Sequence, residues 1–265
     1  MDLLVHKTIS DIKWPHRIVD NFFDEPDLAW IKKSYKAGYK DLQKRFPQCF
    51  VDGKLRHYDE IKNFQNKKDL LLTGFSAYVA FFPTGRVAKP IDDIWRECVK
   101  LYPYKQNKHP ERKDFFSCLE LNIYPPGLVY GRHMDVSYKS FTGVIYIGEK
   151  GQGTTLISGG RQMQVKWKEN RSVLFMNNDE DRREKKDLTD ELSTWHTYEN
   201  LGDDVRYAVN FNLVHPNDMS FMMRLFNHRD KTLFRPEKIA RTENPTFSPI
   251  IVGGGKPVSK KEFHS

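Results

Sequence analysis

Between Phe115 and Leu213 the chain is cut into eight short runs of strand length, and punctuation between them is regular. The runs are Phe115 to Tyr124, Leu128 to Met134, Phe141 to Ile147, Thr154 to Ile157, Gln162 to Trp167, Ser172 to Met176, Thr194 to Tyr198 and Arg206 to Leu213. Pro125-Pro-Gly, Gly148 to Gly153, Gly159-Gly160, Asn177-Asn-Asp and Asn200-Leu-Gly-Asp separate most of them, and such clusters turn the chain rather than continue a ladder. Eight strands at this spacing predict a mainly β fold with flanking helices, a double-stranded β-helix (jelly roll) or a barrel over residues 115–215.

The segment before it has a different period. His16 to Phe23 reads as a strand, Asp24-Glu-Pro26 as a helix cap with proline in the first turn, and Leu28, Ile31, Tyr35, Leu42 and Phe46 recur at helical spacing. Pro90, followed by Ile91, Ile94, Trp95, Cys98 and Leu101, predicts a second amphipathic helix. Both helices are expected to pack outside the jelly roll, while residues 54–86 give no clear pattern. A short helix is expected over 217–229 and a loosely ordered basic tail over 230–265. Residues 1–229 are thus expected to form one domain, with 1–114 as helical support.

Composition narrows the class of partner. The chain has 265 residues and a formal charge of +8, with the excess in the flanks and a near-neutral centre. No Arg/Lys run interleaved with aromatics marks a nucleic-acid groove, so a solvated basic surface is the favoured reading. Three widely spaced cysteines, Cys49, Cys98 and Cys118, form no CxxC pair and predict neither a disulfide framework nor a zinc cluster. The first residues carry no basic stretch followed by an apolar one, and no apolar run reaches about eighteen residues. The expectation is a cytoplasmic protein without a membrane partner.

Within the strand region, His133 and Asp135 stand two apart, a spacing that on a strand sends both side chains to one face. Imidazole plus carboxylate with coordination positions left open suits non-haem Fe(II). H-x-D alone is uninformative, since His57-Tyr-Asp59 and His228-Arg-Asp230 share it. His133 differs in having strands on both sides, a second histidine, His196, several runs later, and Arg206 ten residues beyond that at the start of the last strand. Arg132, one residue before His133, is expected to point away from the site.

Tyr124-Pro-Pro-Gly through Tyr130-Gly-Arg-His133-Met-Asp135, with Phe141 to Ile147, Gly151-Gln-Gly-Thr-Thr-Leu, Ser172 to Met176 and Val205-Arg206-Tyr-Ala-Val-Asn-Phe, resembles the prolyl 4-hydroxylase-like branch of the Fe(II)- and 2-oxoglutarate-dependent dioxygenases. The resemblance covers roughly residues 115–215, and Ile18 to Phe23 is similar to the family's opening strand. It implies a catalytic metal triad of His133, Asp135 and His196, and a co-substrate site of Arg206 with Tyr146 and Tyr124. The cofactors implied are Fe(II), 2-oxoglutarate and O2, with ascorbate a further candidate.

The implied activity is hydroxylation of a C–H bond, with succinate and CO2 as products, on a prolyl or other residue of a protein or peptide. A free amino acid, another small molecule or a nucleic acid are the alternative substrates, and a non-catalytic jelly-roll binding module is the alternative class. Related halogenases lack the carboxylate that Asp135 supplies. The second arginine of nucleic-acid repair members is absent, Asn210 and Asn212 standing in that neighbourhood, which disfavours a base demethylase. The charged stretch Asn177 to Ser193 is longer than the family pattern and is expected to be a solvated loop.

Overall fold

A computed structural model describes residues 4–6, 8–64, 75–83, 94, 96, 116–135, 139–177, 190–214 and 250–251. After strands β1 (Leu4–His6) and β2 (His16–Asp20), helix α1 spans Glu25–Arg45. Asp24 caps it, its Oδ1 accepting the Asp27 amide at 2.9 Å. Beyond it come a hairpin of β3 (Phe50–Val51) and β4 (Lys54–Leu55), the short helix α2 (Tyr58–Phe64) and strand β5 (Phe75–Pro83). Within the stretch 54–86, whose sequence gives no clear pattern, the described residues thus form β4, α2 and β5. Of the helix expected after Pro90, only Ile94 and Arg96 are described; both are helical, and Ile94 is buried. The helix expected over 217–229 lies outside the described residues. Within the expected loose tail, Ile250–Ile251 form a strand, β14, against β5.

All eight strands expected between 115 and 215 are present: β6 (Phe116–Tyr124), β7 (Val129–His133), β8 (Lys139–Ile147), β9 (Thr155–Ser158), β10 (Arg161–Gln164), β11 (Ser172–Met176), β12 (Trp195–Glu199) and β13 (Arg206–Val214). They are dealt between two antiparallel sheets. The larger has the order β1-β2-β11-β8-β13-β6-β5-β14 and the smaller β10-β9-β12-β7. This is the expected double-stranded β-helix, with α1 packed outside it.

Period-2 alternation sorts the larger sheet's side chains. Leu121, Ile123, Phe141, Ile145, Ile147, Leu174, Val209, Phe211 and Leu213 join Trp30, Ile31, Tyr35 and Leu42 of α1 in one apolar cluster on the outer face. The residues between them, including Tyr124, Val144, Tyr146, Val173, Phe175 and Ala208, join Leu156 of β9 and Tyr198 of β12 in a second cluster between the sheets. A register slip of one residue would exchange the two sets, so burial of both faces fixes the pairing. Tyr35 donates its hydroxyl to the Ala208 carbonyl at 2.7 Å and ties the helix to the central strand.

Behind β2, Asp20 is almost fully buried and takes Arg171 Nε and Nη2 at 2.6 and 3.1 Å and Lys168 Nζ at 2.6 Å. A carboxylate so enclosed is tolerated because two cations answer it. Among the described residues no helix is long and apolar enough to cross a membrane. Cys49 is a buried thiol.

Entry into β7 is set by the Pro125-Pro-Gly turn. Leu128 N–H reaches the Pro125 carbonyl at 3.3 Å, and Gly127 adopts φ +74°. Asn200 clamps the turn, donating Nδ2 to the Pro125 carbonyl at 2.9 Å and accepting the Gly127 amide on its own carbonyl at 2.6 Å. The His57 ring lies against Gly127, where a Cβ would come within 1.8 Å of it. Gly127→Ala is therefore expected to destabilise the fold by more than about 1 kcal/mol, from the positive φ and the overlap together. In chemical denaturation His57→Ala should recover part of the loss, the overlap, and leave the part due to backbone strain.

Candidate metal and co-substrate site

The smaller sheet brings the two histidines together. His133 on β7 and His196 on β12 are direct cross-strand partners, and their ring centroids are 4.2 Å apart. Strict alternation along β7 would send Tyr130 and His133 to opposite faces. Between the pairs His196/His133 and Tyr198/Tyr130, however, β7 carries one more residue than β12. That bulge reverses the phase, so both rings face the cavity, 4.0 Å apart edge to face, while Arg132 is sent outward. There Arg132 lies over the Trp195 ring at 4.5 Å and pairs with Asp190 at 2.8 Å, away from the site as expected.

Each histidine makes the same hydrogen bond two residues back. His133 Nδ1 lies 2.8 Å from the Gly131 carbonyl and His196 Nδ1 3.0 Å from the Thr194 carbonyl. A carbonyl only accepts, so Nδ1 carries the proton and Nε2 keeps its lone pair for the cavity. Burial is the first cause that lowers both histidines' affinity for a further proton; the His133 pKa is pushed down to about 4, with His196 beside it adding to the effect. Two neutral donors result.

Asp135 stands beyond the end of β7, so strand alternation does not aim its carboxylate. Two hydrogen bonds do. Thr142 Oγ1 donates to Oδ2 at 2.5 Å, and Asn177 Nδ2 donates to the Asp135 carbonyl at 2.7 Å. Burial pushes the carboxyl pKa up, but Lys139, whose Nζ is 3.8 Å from Oδ1, the two histidines and Thr142 outweigh it and hold it down at about 2. The ligand atoms that His133, Asp135 and His196 offer lie within 4.8 Å of one another, and among the described residues this is the one such cluster.

Arg206 opens β13 on the inner face and is 1% exposed. Its three guanidinium nitrogens are buried without a hydrogen-bond partner. Four rings surround it instead: Tyr198 at 4.4 Å, Tyr124 at 5.1 Å, Trp167 at 5.9 Å and Tyr146 at 6.0 Å. Burial raises the pKa of all three tyrosines, so they stay neutral phenols. Thr154 Oγ1 is likewise buried and unpartnered.

Arg206, Thr154 and Tyr124 line one cavity with the triad, Lys139, Thr142 and Asn210. Its volume open to water centres is about 70 Å³, several times the roughly 10–15 Å³ that one water needs. Tyr146 does not line it: its oxygen accepts the Thr154 amide at 2.8 Å, and its ring stacks on Trp167. It forms a wall of the Arg206 box. Thr142, Thr154, Trp167 and Tyr198 were not singled out from sequence, although the parity they share with Tyr146, Arg206 or His196 along their segments was available to mark the first and last.

No family model matches the chain, and no curated protein matches it. Solved structures similar to it include prolyl hydroxylases, oxygenases and a cupin domain. A prolyl-4-hydroxylase from Pseudomonas putida has 13% identity over 77% of this chain and 94% of its own, with a TM-score of 0.38. The viral collagen prolyl hydroxylase of Paramecium bursaria Chlorella virus-1, in its 2OG complex, has 16% identity over 78% and 98%, with a TM-score of 0.39. The rice dioxygenase for auxin oxidation has 14% over 79% and 76%, with a TM-score of 0.44. These are likenesses of fold.

An unpaired buried cation costs several kcal/mol even after relaxation, and ring contacts return about 2 kcal/mol when desolvated. Arg206→Met is therefore expected to leave the ligand-free protein as stable as the wild type or more so. Thermal unfolding in the absence of metal and dicarboxylates checks this; a marked fall would mean that the guanidinium is a structural group.

Proposed function

We propose that this protein is an Fe(II)- and 2-oxoglutarate-dependent dioxygenase that hydroxylates a C–H bond. The observation that carries the proposal is the hydrogen-bond-free Arg206 guanidinium, buried in the same cavity as two neutral imidazoles and one ionised carboxylate.

Charge balance favours this pair of ligands. Of the residues lining the cavity, Asp135 contributes one negative charge and Arg206 and Lys139 one positive charge each, so a divalent metal leaves a surplus of three, of which a dianion cancels two. Each end of a dicarboxylate then has its counter-charge. Two imidazole nitrogens and one carboxylate oxygen on one side of a metal leave positions for exchangeable ligands, the donor set that suits non-haem Fe(II). Bound there with 2-oxoglutarate and O2, the iron would supply the oxidative decarboxylation to succinate and CO2 and the coupled hydroxylation.

The protein's part is binding, orientation and exclusion of water. His133 and His196 offer Nε2, with Nδ1 tied to the backbone. Arg206 answers the far carboxylate with two parallel N–H donors, a geometry lysine does not offer. Thr154 Oγ1 adds a third donor. Tyr124 accepts a long contact from Asn210 Nδ2 at 3.5 Å and lines the cavity beside Arg206, and in this reading its phenol donates to the co-substrate. The box of four rings keeps water from these bonds and so strengthens them. Tyr146, expected from sequence as a donor to co-substrate, supports the box and the Thr154 backbone in this reading. The resemblance of the Tyr124 to Asp135 segment extends the proposal to a prolyl or other protein side chain as substrate, with ascorbate as the reductant to test.

Anaerobic addition of Fe(II) and 2-oxoglutarate is expected to produce a metal-to-ligand charge-transfer band. His133→Ala and Asp135→Ala should abolish it, and Arg206→Ala should require much more 2-oxoglutarate to reach it. No band in folded wild type, or an unchanged band in both ligand variants, would defeat the proposal. A screen of peptides, amino acids and oligonucleotides for a gain of one oxygen separates the substrate classes.

A further inference from the structure

We infer that Thr142 and Asn212 are positioning residues that commit one oxygen of the Asp135 carboxylate and leave the other to the metal. The inference rests on the metal reading of the triad. The two residues are direct cross-strand partners on β8 and β13, and both are buried on the inner face, Asn212 at 0% exposure. Thr142 Oγ1 lies 2.5 Å from Asp135 Oδ2 and 3.2 Å from Asn212 Oδ1.

A hydroxyl has one proton, and an ionised carboxylate is the stronger acceptor, so the short contact takes it. The longer contact is then between two acceptors. On the other side of the same amide, Asn212 Nδ2 is buried with no partner. Half a turn of the amide removes the acceptor conflict and the orphaned donor together: Nδ2 donates to Thr142 Oγ1, and an acceptor takes the buried position where it costs less. All protons in the chain then point one way, from Asn212 through Thr142 to Asp135.

The direction has a consequence for the metal. With Oδ2 engaged at 2.5 Å, Oδ1 is the oxygen left free of a short hydrogen bond, since Lys139 Nζ stands 3.8 Å away. Because Asp135 lies past the end of β7, no strand geometry holds its side chain. Asn177 fixes its carbonyl, and the Thr142 chain fixes its carboxylate. The pair thus selects a one-oxygen ligand and keeps a further position open at the metal.

The test is anaerobic titration of Co(II) or Fe(II) alone into the metal-free full chain, read by the Co(II) visible absorption, with unfolding followed in parallel. Thr142→Val keeps shape and removes the hydroxyl; it is expected to weaken metal binding about 10- to 100-fold, the usual cost of losing a partner of a ligand. Thr142→Ser should restore binding close to wild type. Asn212→Ala should weaken binding on its own and add nothing in the Thr142→Val background, because both act through one bond. Wild-type affinity in folded Thr142→Val, failure of Thr142→Ser to restore it, or additive losses in the double variant would overturn the inference. If Thr142→Val does not fold, unchanged affinity in folded Asn212→Ala overturns it alone. A folded wild type that binds neither metal, no better than His133→Ala, overturns the metal reading and this inference with it.

Discussion

A guanidinium buried without a hydrogen bond is among the costliest groups that a β-sandwich core can hold. Arg206 stands on the inner face of the central strand, where its neighbours in the same parity are Ala208, Asn210 and Asn212. On β11 of the same sheet the inner face is apolar, at Val173 and Phe175. The polar end is affordable because α1 seals the outer face with a cluster of its own, so stability does not depend on every inner position being apolar. Division of labour between the two faces is what gives the jelly roll a dry, charged pocket.

Local devices then bring the candidate ligands to that pocket from elements that would not otherwise present them. The bulge in β7 puts Tyr130 and His133 on one face, and the clamp of Asn200 on the Pro125-Pro-Gly turn fixes where β7 begins. The two Nδ1 to carbonyl bonds set the tautomers. Each removes a freedom the ligand would otherwise have to remove on binding, which is preorganisation in the literal sense.

Much of this was readable in the chain. Alternation and turn residues located all eight strands, because a half-buried or doubly buried strand bounded by Gly, Asn and Pro leaves a period-2 trace that side-chain burial enforces. The spacing from His133 to His196 to Arg206 was enough to expect the three in one cavity, because the fold sets those distances along the chain. β5 was not readable: the run Leu70 to Phe82 is nearly continuous in apolar residues, and periodicity cannot separate such a strand from a buried helix. Nor was the bulge, since the extra residue in Tyr130-Gly-Arg-His133 looks like any other until its partner strand is known. Thr142, Thr154 and Asn212 were missed for a related reason. A threonine or asparagine on a strand has the same appearance whether it meets water, backbone or a carboxylate.

The distribution of unsatisfied groups carries the argument one step further. Among the described residues the buried side-chain atoms without a hydrogen bond include Thr154 Oγ1, Asn212 Nδ2 and the three nitrogens of Arg206, and four of these five belong to residues lining one cavity. Buried donors go unmatched in few places in a well-packed protein, and a random set of defects would be scattered. Three of those four atoms are guanidinium nitrogens that can only donate, which makes the cavity complementary to an anion. Binding such an anion satisfies groups that folding left unsatisfied, so its free energy stabilises the fold as well as the complex.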